Sequence, residues 1–237
     1  MKVLMIIPAY NEEKNILNVC KRIDEYNTNN NKVDYIVIND GSTDNTGNIC
    51  KKNNIPCINL INNLGIGGAV QTGYQYAYYN NYDIAIQFDG DGQHDINYVE
   101  KLINPIKNGK ADMVIGSRYI EELSDFKSTL LRRTGSKILS IILNITTHKK
   151  IYDITSGFRA VNKKIIEIFK DNYPNDYPEP ESLVVVLKNN CKIDEVSVKM
   201  NKRQNGKSSI TPLKSIYYMI KVSYAIIVSA LIYGRDE

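Results

Sequence analysis

Ile84-Ala85-Ile86-Gln87-Phe88-Asp89-Gly90-Asp91-Gly92-Gln93-His94-Asp95 couples a short apolar run to a turn in which carboxylates and glycines alternate. The run reads as a buried strand bounded by turn residues. Two carboxylates one residue apart on such a turn can converge on one hard cation, and the glycines let the backbone approach a ligand closely. A bound Mg²⁺ or Mn²⁺ would then neutralise a diphosphate. The plain alternative is an acidic surface turn. A calcium loop is excluded, although Glu100 stands at the twelfth position from Asp89. His94 occupies the sixth position, where that loop requires Gly, and a strand leads in.

Outward from this turn, strands and helices alternate. Lys2–Ile7, Tyr35–Asn39, Pro56–Leu60, Asp83–Phe88 and Met113–Ile115 read as strands. Between the first four lie helical stretches from about Glu12 to Tyr26, Asp44 to Asn53 and Gly68 to Asn80. This rhythm predicts an α/β fold with a mostly parallel sheet and helices on both faces. Ligands then bind beyond the carboxyl ends of the strands, near the switch point of the sheet. After Tyr119 the rhythm breaks: Asp125–Thr146 and Ser182–Asn190 read as helices, Phe158–Val161 as a short strand, and Ile193–Met200 as an edge strand. The expected division is a catalytic-size domain over 1–210 and a C-terminal apolar helix within 211–237.

Composition limits the function classes. The 237 residues are 43% hydrophobic and 24% charged, which rules out wholesale disorder. A net charge of +4 does not call for nucleic acid. Cys20, Cys50, Cys57 and Cys191 form no C-x-x-C pair, and His94 and His148 lie far from them in sequence, so no structural zinc site is expected. Met1–Ile7 is cut short as an apolar segment by Pro8, Asn11, Glu12 and Glu13, so no signal peptide is read. Reduced thiols in a cytosolic protein are the simplest account.

Two other strand ends are polar. Asp40 in Asn39-Asp40-Gly41-Ser42-Thr43-Asp44 could accept from the imide N–H of a nucleobase, whereas Ser42 or Asp44 could simply cap the next helix. In Pro8-Ala9-Tyr10-Asn11-Glu12, Tyr10 could stack on a base; Asn11 and Glu12 also suit a helix start. Gly65-Ile66-Gly67-Gly68 is no dinucleotide fingerprint, because Val70 stands where the third Gly belongs and the run follows the third strand. Gly206-Lys207-Ser208 fails as a P-loop, because Asn201 occupies the required Gly.

These motifs occur in order with Gly116-Ser117-Arg118 and Ser156-Gly157-Phe158-Arg159. Together they resemble the family-2 glycosyltransferases of GT-A fold, most of all the dolichyl- or polyprenyl-phosphate sugar synthases, from about Val3 to Ser209. The resemblance implies an inverting, metal-dependent transfer from a UDP- or GDP-sugar to a lipid phosphate. It implies nucleotide-sugar contacts at Pro8, Tyr10, Glu12, Asp40, Asp44, Gly90, Asp91 and Arg118. It places Mg²⁺ or Mn²⁺ on Asp89, Asp91 and Gln93. Arg118, Arg203 and Lys207 would hold phosphate, a task that suits the guanidinium fork. Glu179-Pro180-Glu181 stands where relatives carry a D-x-E pair, with Glu179 replacing Asp, and Ser197 replaces the usual Pro of an E-V-P-V segment. A hydroxyl acceptor needs a general base, for which Asp153 and Glu181 are candidates; an ionised phosphate acceptor does not.

Alternatives stay in view. Transfer to a saccharide hydroxyl in surface-polysaccharide assembly is the second reading, and a non-catalytic nucleotide-sugar-binding protein the third. A sugar-nucleotide pyrophosphorylase is excluded, because Pro8-Ala9-Tyr10-Asn11 lacks the Gly-rich, Arg-containing triphosphate loop. From Lys199 to Lys221 there are six basic residues and no acidic one, which suits phosphates or an anionic membrane surface. The uncharged run Val222–Tyr233 spans only ~18 Å as a helix, too short for a bilayer core of about 30 Å. Leu213–Tyr233 is therefore expected as a helix lying on the membrane, with packing against its own domain as the competing account. The implied location is the cytoplasmic face of the cell membrane, peripherally bound.

Overall fold

The computed structural model describes residues 1–28, 32–120, 130–201 and 212–232. The strands are β1 (Val3–Ala9), β2 (Asp34–Asn39), β3 (Cys57–Asn59), β4 (Ile84–Gln87), β5 (Met113–Ser117), β6 (Arg159–Asn162) and β7 (Ile193–Ser197). They form one seven-stranded sheet in the order β3-β2-β1-β4-β6-β5-β7. All neighbours are parallel except β6, which runs antiparallel to both β4 and β5. The chain winds outward from β1 to β3, then returns to the other side of β1 as β4. That reversal makes the switch-point crevice at the carboxyl ends of β1 and β4, where a ligand site belongs.

Every residue of β1 is buried, as a strand covered on both faces must be. Its side chains alternate between two cores: Leu4 and Ile6 on one face, Val3, Met5 and Ile7 on the other. The first core is closed by α3 (Gly65–Tyr79), α5 (Leu130–Thr147), α6 (Lys163–Asp171), α7 (Pro178–Lys188) and α8 (Pro212–Ile232). The second is closed chiefly by α1 (Ile16–Thr28) and α4 (Val99–Lys107), with α2 (Thr46–Lys52) at its margin. Each fully buried Leu or Ile contributes about 1.5–3 kcal/mol. Gly73 lets α3 lie directly on β1, because a Cβ there would stand 2.1 Å from Ile6 Cγ2.

The expected parallel α/β architecture is present, with three differences in its elements. α4 and α6 are additional helices; α4 carries Pro105 in its last turns, and α6 is only nine residues long, capped by Asn162 Oδ1 accepting from Ile165 N–H at 3.1 Å. α7 starts at Pro178 rather than at Ser182, because proline is tolerated in a first turn. α8 is a helix, but one of its faces is internal: Val222, Ile226 and Ala230 join the first core. It packs on α5 and α7, and Gly135 of α5 leaves room for Met219 of α8. The apolar helix is thus seated on its own domain along one face. No helix among the described residues is long and apolar enough to cross a membrane.

Candidate active site

The β1 and β2 ends are tied together by side chains. Asn11, at φ 56°, donates its N–H to Ser42 Oγ at 2.9 Å, and its Oδ1 accepts from Thr43 N–H at 2.9 Å and Asp44 N–H at 3.3 Å. Asp44 is occupied as a turn residue: Oδ1 accepts from Thr46 N–H at 2.9 Å and Oδ2 from Glu13 N–H at 3.1 Å. Burial would raise its pKa, but these hydrogen bonds outweigh that and hold it below the ordinary value. Glu12 N–H donates to Thr46 Oγ1 at 2.9 Å, and Glu12 Oε2 accepts from Asn15 at 2.7 Å. Tyr10 is left half exposed. Asp40 is buried, and its Oδ1 accepts from Leu64 N–H at 2.7 Å, so it also holds the loop entering α3. Among the described residues its Oδ2 takes no hydrogen bond.

The acidic turn sits across the crevice. Gly90 faces the end of β1 so closely that a Cβ would stand 3.0 Å from the Pro8 carbonyl oxygen. Asp91 Oδ1 accepts from Gln93 N–H at 3.0 Å, and Gly92 turns the chain at φ +77°. Asp89 Oδ1 accepts from Gln87 Nε2 at 3.2 Å, while its side chain stays 35% exposed. On the far side of Asp89 is Gly157, where a Cβ would meet Asp89 Oδ2 at 3.1 Å and Gln87 Nε2 at 2.8 Å. Only glycine leaves that cradle open. Carboxylate and amide oxygens are the hard donors that Mg²⁺ and Mn²⁺ prefer, so Asp89, Asp91 and Gln93 fit such an ion chemically. Among the described residues no group of three or more His, Cys, Asp or Glu closes a cage. Alone, the turn would supply only part of a coordination shell, as for a cation shared with phosphates.

Arg118 and Asp153 form the strongest polar pair in the site. Arg118 Nε donates to Asp153 Oδ2 and Nη2 to Oδ1, both at 2.7 Å; Nη2 also reaches Thr155 Oγ1 at 3.0 Å. Asp153 is fully buried and accepts the Arg118 backbone N–H as well, at 3.0 Å. Glu195 fixes it in turn, accepting from Asp153 N–H at 2.9 Å and from Tyr152 N–H at 2.7 Å. Burial lowers the Arg118 pKa, but the Asp153 hydrogen bonds and charge, with Asp89 adding to them, leave it raised. Both oxygens of Asp153, one of the two candidate bases, are held by a bidentate arginine, so here the carboxylate orients Arg118.

Glu181, the other candidate base, lies in the first turn of α7. Residues two apart on a helix point about 200° apart, so Glu179 and Glu181 at the start of α7 cannot serve one site. The Glu181 carboxyl lies beside the Ser229 hydroxyl of α8. Glu179 instead lies beside Gln87 and feels the charge of Asp89; burial, more than any other cause, raises its pKa. The α7 start is clamped by fully buried Arg159, which donates to the carbonyls of Glu179 (2.6 Å), Ser156 (2.6 Å) and Ile154 (2.9 Å) and to Ser182 Oγ (2.8 Å). Glu179 is thus the carboxyl beside the acidic turn. Its replacement of Asp in the D-x-E pattern was the only sequence signal for it.

Arg203 and Lys207 lie outside the described residues. The last described residue before them, Asn201, donates its N–H to the Gln93 carbonyl at 2.8 Å. A cavity of about 510 Å³ opens between α2 and β3, lined by Asn39, Ser42, Asp44, Lys51, Cys57 and Asn59 among others. It touches none of Asp89, Asp91, Arg118 or Glu179, so it is not where these groups converge.

The profile of glycosyl transferase family 2 matches residues 5–169. The chain belongs to glycosyl transferase family 2. It is 35% identical over 217 residues to the UDP-N-acetylglucosamine–dolichyl-phosphate N-acetylglucosaminyltransferase of Methanococcus voltae, covering 83% of this chain and 84% of that protein. It is 33% identical over 173 residues to the dolichol-phosphate mannosyltransferase of Pyrococcus furiosus, covering 70% of this chain and 48% of that protein. The glucosyl-3-phosphoglycerate synthase of Mycobacterium tuberculosis, in complex with Mn²⁺, UDP-glucose and phosphoglyceric acid, shares the fold. The TM-score is 0.70 at 19% identity, over 97% of this chain and 79% of that one. This family-2 chain is accordingly a glycosyltransferase, and the alternative of a non-catalytic binding protein is set aside.

Proposed function

We propose that this family-2 glycosyltransferase moves a sugar from a nucleotide-sugar donor, UDP- or GDP-linked, to a polyprenyl- or dolichyl-phosphate-type acceptor with inversion. The observation that carries the reading is that Asp89, beyond the carboxyl end of β4, lies near enough for its charge to act on both Arg118 and Glu179. The named relatives act on dolichyl phosphates, which supports the acceptor class. Asp40 Oδ2 would accept from the base, beside Pro8 and Tyr10. When bound at Asp89, Asp91 and Gln93, Mg²⁺ or Mn²⁺ would supply positive charge against the departing diphosphate. Arg118, pinned by Asp153, would present its Nη1 edge to a phosphate, joined by Arg203 and Lys207. An acceptor phosphate oxygen attacks the anomeric carbon as the bond to the diphosphate breaks. No proton need move, because the acceptor is already ionised.

Glu179 favours a second reading, transfer to a saccharide hydroxyl, in which it would take the hydroxyl proton. The two separate in one assay, with UDP- and GDP-sugars, Mn²⁺, and either polyprenyl phosphate or an oligosaccharide as acceptor. Sugar is expected on the lipid phosphate, and Glu179→Gln should leave that transfer little changed. Transfer confined to the oligosaccharide, lost by about 10²-fold or more in Glu179→Gln, would replace the first reading with the second.

The acceptor class implies a membrane surface. α5 exposes Ile138, Ile141 and Ile145 on one stripe, and α8 exposes Ile220, Tyr224, Ile227 and Leu231 on the stripe opposite its buried one. These two packed helices thus turn apolar faces outward, with Lys137 and Lys221 on the same elements. Peripheral binding to the inner face of the cell membrane follows from this reading. The protein should float with anionic vesicles, and Ile141→Glu with Leu231→Glu should release it. Flotation unchanged by the double substitution would remove these stripes from the membrane contact.

A further inference from the structure

We propose that His94 is a positioning residue whose Nε2–H sets the carboxylate of Asp89 for the divalent cation; this rests on the reading of Asp89 as a metal ligand. His94 is 2% exposed, so its ring is closed off from solvent. Its Nδ1 accepts the Asp89 backbone N–H at 3.0 Å. The proton of the neutral ring therefore sits on Nε2, which faces Asp89 Oδ2 at 3.5 Å. The ring cannot turn away, because it lies flat on Phe158, with centroids 4.6 Å apart and planes at 14°, and meets Phe88 edge-on at 5.5 Å. Gln87 donates to the other Asp89 oxygen at 3.2 Å, so the carboxylate has a donor on one side, the imidazole facing it on another, and an exposed third side. Glycine at 157 keeps any side chain from displacing that arrangement. Loss of a group that orients a metal ligand in this way typically weakens metal affinity or activity by about 10–100-fold.

His94 does two separable things, and two substitutions divide them. In His94→Asn, Oδ1 takes the place of Nδ1 and still accepts the Asp89 N–H, but the shorter side chain carries no donor to Oδ2. In His94→Gln, Nε2 takes the place of the imidazole Nε2–H and still faces Oδ2. Mn²⁺ binding would be titrated calorimetrically with UDP or GDP present, alongside thermal unfolding and the Mn²⁺ concentration giving half-maximal transfer. His94→Asn is expected to weaken Mn²⁺ binding by about 10–100-fold, with turnover recovering at saturating Mn²⁺, and His94→Gln to bind within about threefold of the native protein. Equal Mn²⁺ affinity in folded His94→Asn overturns the proposal, as does an equal loss in both variants. Should neither variant fold, Phe158→Leu frees the ring to tilt and is expected to weaken Mn²⁺ binding by roughly threefold or more; unchanged affinity overturns the proposal. If the native protein binds Mn²⁺ with neither nucleotide, the reading of Asp89 as a metal ligand itself fails.

Discussion

Asp91→Asn abolishes sugar transfer, by an expected factor of about 10²–10³ or more, while the protein remains folded. The amide oxygen of the substituted side chain can still accept the Gln93 N–H that Asp91 Oδ1 takes at 3.0 Å, so the turn keeps its geometry. What disappears is one of the two negative charges that the turn offers to a divalent cation. Unlike a truncation, the substitution removes charge without leaving a gap, so its effect on melting should be within a few degrees. Transfer assayed with Mn²⁺ in excess reads the loss directly. Near-native turnover under those conditions would remove the metal role assigned to this turn.

Asp153→Ala carries the second large effect, on stability and transfer together. The carboxylate is fully buried, pairs with Arg118 through two 2.7 Å bonds, and also accepts the Arg118 backbone N–H. Removing it leaves a largely buried guanidinium unpaired, at an expected cost of about 3–5 kcal/mol, towards the lower figure because Arg118 is 21% exposed. Urea denaturation of native and variant protein measures this as a lower midpoint at unchanged slope. Transfer falls as well, because the Arg118 fork loses its orientation. If Asp153 instead served as a base, Asp153→Asn would lose transfer to hydroxyl acceptors while transfer to lipid phosphate stayed intact. Loss of transfer to lipid phosphate is expected.

The strands and the acidic turn were legible because their signals are local. β1 and β4 read as β-branched apolar runs, and Asp89-Gly90-Asp91 follows β4 directly, so a strand-end carboxylate pair needed no tertiary information. α4 and α6 were less legible because each is nine residues long, and Pro105 lies inside the first of them. The start of α7 was hidden by Pro178 and Pro180, which break helices in the interior yet sit well in a first turn. The surroundings of Asp153 and Glu181 were not legible for a different reason. Each is a carboxylate in a plausible motif, but what it can do depends on the partner it meets in space, Arg118 for one and Ser229 for the other.

The amino-acid sequence alone determined the alternation of strands and helices, the polar strand ends and the order of motifs that marks the family. Periodicity and turn chemistry act over a few residues, so they survive without any fold. The tertiary structure decided which of these polar residues share a site and which serve the scaffold. It brought Glu179 to Asp89 and sent Glu181 to α8, because two positions on one helix point apart. It turned Asp153 into the anchor of Arg118 and buried His94 against Phe158 beneath the acidic turn. It also divided the apolar C-terminal helix into a face packed on the core and a face left exposed. Each of these outcomes depends on contacts between segments distant in sequence, and no local pattern carries that information.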